Sequence, residues 1–313
     1  MKDKRLFAGL LVIALATCSL SVASVAAPPE EEIDQLIERA MEAFEIPGMA
    51  VSVVYDGEVY YSKGHGLVEV SKSARVDDKT LFQIASVSKA FTAAALAILV
   101  DDGKLDWEDP VIDYLPEFRM YDPWVTREFT IRDLLTHRSG LPLGAGDLLM
   151  FPEAETSREE IIRAMRFLKP STSFRSEYAY DNLMYIIAGE VVGSASGMPF
   201  EEFLEERLLF PLGMTDCAAT LRRVARKATR ATPHVEVDGE LQTTLSLESD
   251  VGAAAGGINC SARSMALWAS FVLDKGKNAD GDEIVSAAQV EQLLNPVTVL
   301  PTRGYMAEHA GSF

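Results

Sequence analysis

Hydrophobic and polar positions follow several distinct periods along this chain, and each predicts an element. Glu30 to Phe44 is amphipathic with helical spacing. Ala50 to Tyr55 and Glu58 to Ser62, separated by Asp56-Gly57, predict two strands joined in a hairpin, because that dipeptide suits the left-handed turn a hairpin requires. From Ala90 to Val100 the run is nearly all apolar, so the helix that opens at Ser86 and stops at Gly103 is apolar all round and is expected to be central. Thr130-x-x-Asp133 and Ser157-x-x-Glu160 read as capping boxes on short helices that end before Gly140 and Pro170. Asn182 to Ser194, Pro199 to Leu209, Ala262 to Asp274 and Ser286 to Leu294 carry further helical patterns. Val235 to Glu248, with Asp238-Gly239, suggests a small hairpin, and Val251 to Gly257 reads as a Gly/Ala loop.

An opening hairpin followed by a long helical stretch points to an α/β (α+β) domain whose sheet begins near the N-terminus. Strands from the C-terminal end should complete that sheet. Residues 295 to 313 show no convincing strand pattern, so the expectation is a domain over 27–313 that is truncated at its C-terminus, with a helical subdomain at about 103–250.

At 313 residues, with 48% hydrophobic and 24% charged content, the chain can bury a sizeable core. Met1-Lys2-Asp3-Lys4-Arg5, the apolar Leu6 to Val22 and the small residues through Ala27 have the three parts of a secretory signal peptide over residues 1–26. Cleavage before Ala27 would export the chain to a periplasmic or extracellular location and leave no stable membrane partner. The formal charge of −18 argues against nucleic acid as a partner. The basic cluster Arg222, Arg223, Arg226, Lys227 and Arg230 has no interleaved aromatics and reads as a solvated face. Once Cys18 leaves with the signal, at most one disulfide, Cys217 to Cys260, is available, and two small buried thiols are the default expectation.

The chemistry concentrates at Ser86-Val87-Ser88-Lys89. Residues three apart share a helical face, so the Lys89 amine reaches the Ser86 hydroxyl from local structure alone. Desolvation under the apolar run and the positive end of the helix dipole both lower the amine's pKa, which is what a base needs. An S-x-x-K match is common by chance, and its bland alternative is a surface lysine. Later in the chain, Tyr180-Asp181-Asn182 places a phenol and an amide at the start of a helix. That pair suits proton shuttling and carbonyl orientation; its bland alternative is a core tyrosine beside a helix-capping asparagine.

Phe82-Gln83-Ile84-Ala85-Ser86-Val87-Ser88-Lys89-Ala90-Phe91-Thr92, Leu134-Leu135-Thr136-His137-Arg138-Ser139-Gly140-Leu141, Tyr180-Asp181-Asn182 and Pro211-Leu212-Gly213-Met214 together resemble the serine β-lactamase family. Within it they are similar to the branch that groups class C β-lactamases with D-Ala-D-Ala carboxypeptidases, D-aminopeptidases and esterases. The resemblance covers roughly Ile33 to Asn295. It implies an antiparallel sheet flanked by helices with an inserted helical domain, and a site in the cleft between them. Ser86 would be the acylated nucleophile, Lys89 its base, Tyr180 a proton relay and Asn182 a substrate-orienting donor. It further implies a small-molecule or peptide substrate and no cofactor. The family's third motif, Lys-Thr-Gly or His-x-Gly, is not matched by any Lys-Thr-Gly here; His309-Ala310-Gly311 matches in letters but lacks a preceding apolar strand and reads as coincidence.

Thr136-His137-Arg138-Ser139-Gly140 reads as a helix end at which Gly140 takes the left-handed cap, which gives His137 a structural reading. His65 and His234 stand alone, and no set has metal-ligand spacing. Asn278 to Glu283 lacks the spacing of a calcium loop and reads as a turn. Two functional classes remain: an exported serine hydrolase acting on D-amino-acid peptides, β-lactams or small esters, and a catalytically silent penicillin-binding-like sensor or inactive fragment.

Overall fold

Prolines at 28 and 29 block helix until Glu30, and three glutamates in the following turn face the positive end of the dipole of α1 (Glu30–Ala43). The chain next forms an antiparallel hairpin of β1 (Gly48–Tyr55) and β2 (Glu58–Gly66), turning through Asp56 and Gly57 with positive φ. This computed structural model describes residues 27–151, 156–246 and 250–300. The proposed signal peptide and His309-Ala310-Gly311 lie outside the described residues. The hairpin extends past the predicted strands at its open end, pairing Gly48 with Gly66, and a bulge near Val53 and Val54 interrupts its register. Alternation places Met49, Val51 and Val53 on one face, where they surround Ile33 and Ile37 of α1 and Tyr61 of β2.

Helices fill most of the rest. α2 (Ser88–Asp101) buries Phe91 and every residue from Ala94 to Leu99. Each of its large apolar side chains contributes about 1.5–3 kcal/mol by leaving water, so α2 is the axis around which the other elements gather. α3 (Val111–Tyr114), α4 (Pro123–Glu128), α5 (Ile131–Leu135) and α6 (Arg158–Ala164) follow. Both predicted capping boxes form, at Thr130 with Asp133 and at Ser157 with Glu160. α7 (Leu183–Ser196) packs its apolar surface against α2 and stops at Gly197. α8 (Phe200–Leu204) continues into a π-helical turn, Glu205–Leu209, where one uninterrupted helix was expected.

Short strands complete the described chain: β3 (Phe82–Gln83), the hairpin β4 (His234–Val237) and β5 (Glu240–Thr243), and β6 (Asn259–Cys260). β3 pairs with β6, and every strand pair is antiparallel. α9 (Ala262–Leu273) packs against the first hairpin, and α10 (Ala287–Leu294) against α2. The architecture is mixed helix and strand, as expected.

Two differences matter for the site. The segment read as a loop is helical: a 3-10 turn at Asp250–Gly252 leads into a π-helical turn at Ala253–Gly257, whose three alanines are buried against α2 and α7. A string of alanine and glycine carries no apolar period to reveal it, and its small side chains let backbones touch. A Cβ on Gly189 of α7 would stand 2.7 Å from that of Ala254, so only glycine permits this approach. Arg158 secures the entry to the turn, donating to the Val251 and Asp250 carbonyls while paired with Glu190 and Glu201. The second difference corrects the default of two thiols. Cys217 and Cys260 form a disulfide across 43 residues of chain, because an isolated backbone bridge between Ala218 and Asn259 already brings their neighbours together. In the chain-entropy view, closing a loop of that size stabilises the fold by about 4 kcal/mol.

Candidate active site

β3 delivers the chain to the N-terminus of α2 through a backbone bond from Ile84 to the Ile258 carbonyl, 2.9 Å. Ala85 then takes φ of +46°, a conformation unfavourable for an L-residue, and a 3-10 turn at Ala85–Val87 leaves Ser86 exposed. Ser88 is buried and its hydroxyl accepts from Ile258 N–H at 3.2 Å, which holds the turn against the neighbouring strand. One helical turn after Ser86, Lys89 is only 7% exposed.

Three acceptors surround the Lys89 amine: Ala255 O at 2.6 Å, Asn182 Oδ1 at 2.9 Å and Ser86 Oγ at 3.2 Å. Burial is the main influence on it and lowers its pKa, while Tyr180, Asp147 and Asp181 pull it back upward. The Tyr180 and Tyr185 rings lie beside the amine, at 4.9 Å and 5.3 Å. A neutral amine keeps two hydrogens and one lone pair. With a carbonyl and an amide oxygen taking the hydrogens, the lone pair is left to the Ser86 hydroxyl. Tyr180 donates to Ser86 Oγ from the other side, 2.7 Å away.

Tyr180 and Asn182 reach this point because α7 begins immediately behind them. Asp181, fully buried, caps the helix by accepting from Leu183 N–H at 2.8 Å, so Asp181 takes the capping role that the bland reading gives Asn182 and frees the asparagine side chain for Lys89. Ser86, Lys89, Tyr180 and Asn182, read from separate patterns, thus converge on one cluster. A cavity of about 170 Å³ adjoins it, with Met150, Phe151, Ala255 and Gly256 among the residues that line it beside Ser86 and Asn182.

Burial pushes Asp181 up to about 7, with the Asp147 charge adding to the effect, although the N–H groups of Leu183 and Met184 and the charge of Lys89 oppose it. Its Oδ2 has no hydrogen-bond partner among the described residues. The folded state therefore holds this proton more tightly than the unfolded chain does. Asp181's own contribution to stability falls as pH rises from about 4 to about 7 and is level above that. Asp181→Asn keeps the capping oxygen and removes the titration. Urea unfolding of that variant should show no decline across this window and a gain of about 1–3 kcal/mol at pH 8.

His137 is more involved than its sequence context suggested. It is itself the left-handed residue after α5, with φ of +55°, and Gly140 is left-handed as well. Its Nδ1 accepts from Asp181 N–H at 3.2 Å, and its ring lies 4.4 Å from that of Tyr180. Burial, reinforced by the charge of Lys89, pushes His137 down to about 4, so the imidazole is neutral and works as an acceptor and a wall. Sequence reasoning missed two further participants. The Ala255 carbonyl is a backbone group with no side-chain signature. Asp147 Oδ1 accepts from Asn182 Nδ2 at 3.1 Å, but lies in an unpatterned glycine-containing loop.

A family model described as Beta-lactamase matches residues 33–310. The unguisins hydrolase ungD' of Aspergillus campestris is 29% identical over 288 residues, 88% of this chain and 52% of that protein. Protein flp of Staphylococcus aureus is 27% identical over 186 residues, 59% of this chain and 37% of that protein. The chain thus spans about half the length, or less, of these curated relatives. Among solved structures, the octameric penicillin-binding protein homologue from Pyrococcus abyssi superposes with a TM-score of 0.72 at 24% identity, covering 84% of this chain and 59% of that one, and shares its fold.

Proposed function

The chain belongs to the beta-lactamase family, and from that premise we propose that it is an exported serine hydrolase working through an acyl-Ser86 intermediate on D-amino-acid peptides, β-lactams or small esters. One observation carries the reading: a buried amine whose other two partners are oxygen acceptors stands 3.2 Å from an exposed hydroxyl. Neutral Lys89 takes the Ser86 proton as Oγ forms a bond to the substrate carbonyl carbon. Tyr180, 2.7 Å from the same oxygen, relays that proton to the leaving group as its bond to carbon breaks. Water then adds to the acyl carbon, its proton passes along the same path to Oγ as the Oγ–carbon bond breaks, and the acid leaves with Ser86 restored. Asn182 orients Lys89 and offers its amide edge to the substrate. The backbone N–H of Ser86 supplies one oxyanion donor, worth a few kcal/mol in the tetrahedral state. The N-terminal charge, apolar run and small residues support export, as does a disulfide that suits an oxidising compartment.

Mass spectrometry after incubation with a labelled penicillin, and separately with a fluorophosphonate, should find the adduct on the peptide that contains Ser86. No adduct from either reagent overturns the hydrolase reading. Labelling by the fluorophosphonate alone narrows it to peptidase or esterase chemistry. Stoichiometric labelling without turnover of a chromogenic cephalosporin or a p-nitrophenyl ester supports the silent sensor instead.

A further inference from the structure

Asn182 has two faces that differ only in which atom is oxygen and which is nitrogen, and the site works with one of them. Its Oδ1 faces Lys89 Nζ at 2.9 Å and its Nδ2 faces Asp147 Oδ1 at 3.1 Å. With the amide reversed, an N–H would point at the lysine and compete with Ser86 for the amine's lone pair. A carboxylate accepts and never donates, so only the working orientation satisfies Asp147.

We infer that Asp147 is a positioning residue that locks the Asn182 amide with its oxygen toward Lys89, and so reserves the lysine lone pair for Ser86; the inference rests on the proposed role of Lys89. The local fold is built to make this contact. Gly144 N–H donates to the Tyr180 carbonyl at 2.9 Å, which hangs the loop on the segment that carries Asn182. Gly146 is left-handed at φ of +77°, and a Cβ there would collide with Leu183 Cδ1. The loop can therefore lie flat against the start of α7 and present Asp147, on a 3-10 turn at Asp147–Leu149, to the amide. Asp147 also adds negative charge near Lys89, whose other charged or titratable neighbours are Tyr180, Asp181 and Tyr185 at the start of α7 and His137 after α5.

Asp147→Asn is nearly isosteric but offers either an oxygen or an N–H, so it no longer selects an amide orientation. Two readings on the full chain test the role. The first is the Lys89 titration midpoint, followed by NMR of 13C-labelled lysine and assigned by loss of the signal in Lys89→Met. In Asp147→Asn it should move down on the order of one pH unit, because a nearby negative charge is gone. The second is the acylation rate constant with p-nitrophenyl acetate, which should fall about tenfold, the equivalent of one charge-assisted hydrogen bond, with the substrate KM little changed. Asp147→Glu, which restores an acceptor-only group, should recover part of both. An unchanged titration midpoint in Asp147→Asn overturns the inference whether or not the protein turns substrate over, and so does an unchanged acylation rate constant beside a shifted midpoint, because loss of the charge alone moves the midpoint. No Ser86 labelling in the wild type removes the hydrolase reading; a midpoint that shifts in Asp147→Asn and recovers in Asp147→Glu then supports the contact of Asp147 with the lysine site apart from that reading.

Discussion

Ser86→Ala should fold normally, lose all covalent labelling and hydrolyse a p-nitrophenyl ester about 10⁴- to 10⁶-fold more slowly than the wild type, the scale of loss when one member of a catalytic triad is deleted. Folding is spared because the hydroxyl is exposed and contributes no packing; among the described residues its hydrogen-bond partners are Tyr180 and Lys89. Without it, Lys89 retains Asn182 Oδ1 and Ala255 O, and the pocket beside it is unchanged. The measurement is stopped-flow release of p-nitrophenol alongside a thermal melt. Residual hydrolysis within tenfold of the wild type at an unchanged melting temperature assigns the chemistry to another group.

Lys89→Met separates catalysis from stability, since the two should move in opposite directions. Methionine keeps the length of the side chain and removes the base, so acylation should fall about 10²- to 10⁴-fold. In the wild type the rate should climb as pH rises through the lowered pKa of Lys89, because the proposed mechanism uses the deprotonated amine; the variant should lack that rise. Stability runs by the same linkage. A lysine that binds its proton less tightly when folded makes the protein more stable as pH increases, until the unfolded chain also loses the proton near 10.5. At neutral pH, therefore, burying a methionine rather than this lysine should raise resistance to urea. A variant both inactive and less stable would show that the amine's contacts hold the fold together.

Much of this arrangement is written locally. Ser86 and Lys89 lie one turn apart, the capping boxes mark their own helices, and Asp56-Gly57 forces its own reversal, so each follows from a few adjacent residues. What could not be read depends on contacts between distant segments. β3 and β6 contain two residues apiece and gain strand geometry only from each other across more than 170 positions. The buried turn at Ala253–Gly257 has no periodicity, because its environment, not its composition, makes it helical. The Cys217 to Cys260 bond required knowledge of which strands are neighbours. Asp147 looks like any loop aspartate until the asparagine it touches is in place. Asn182 itself was legible as a participant but not in its orientation, which another residue sets.

The contact between Lys89 and the Ala255 carbonyl joins groups 166 residues apart, and this bears on biosynthesis. On the proposed reading, the lysine of a nascent chain should stay solvated until that carbonyl has emerged from the ribosome and folded home, and the alcohol beside it should gain reactivity only as the distant backbone closes over the amine.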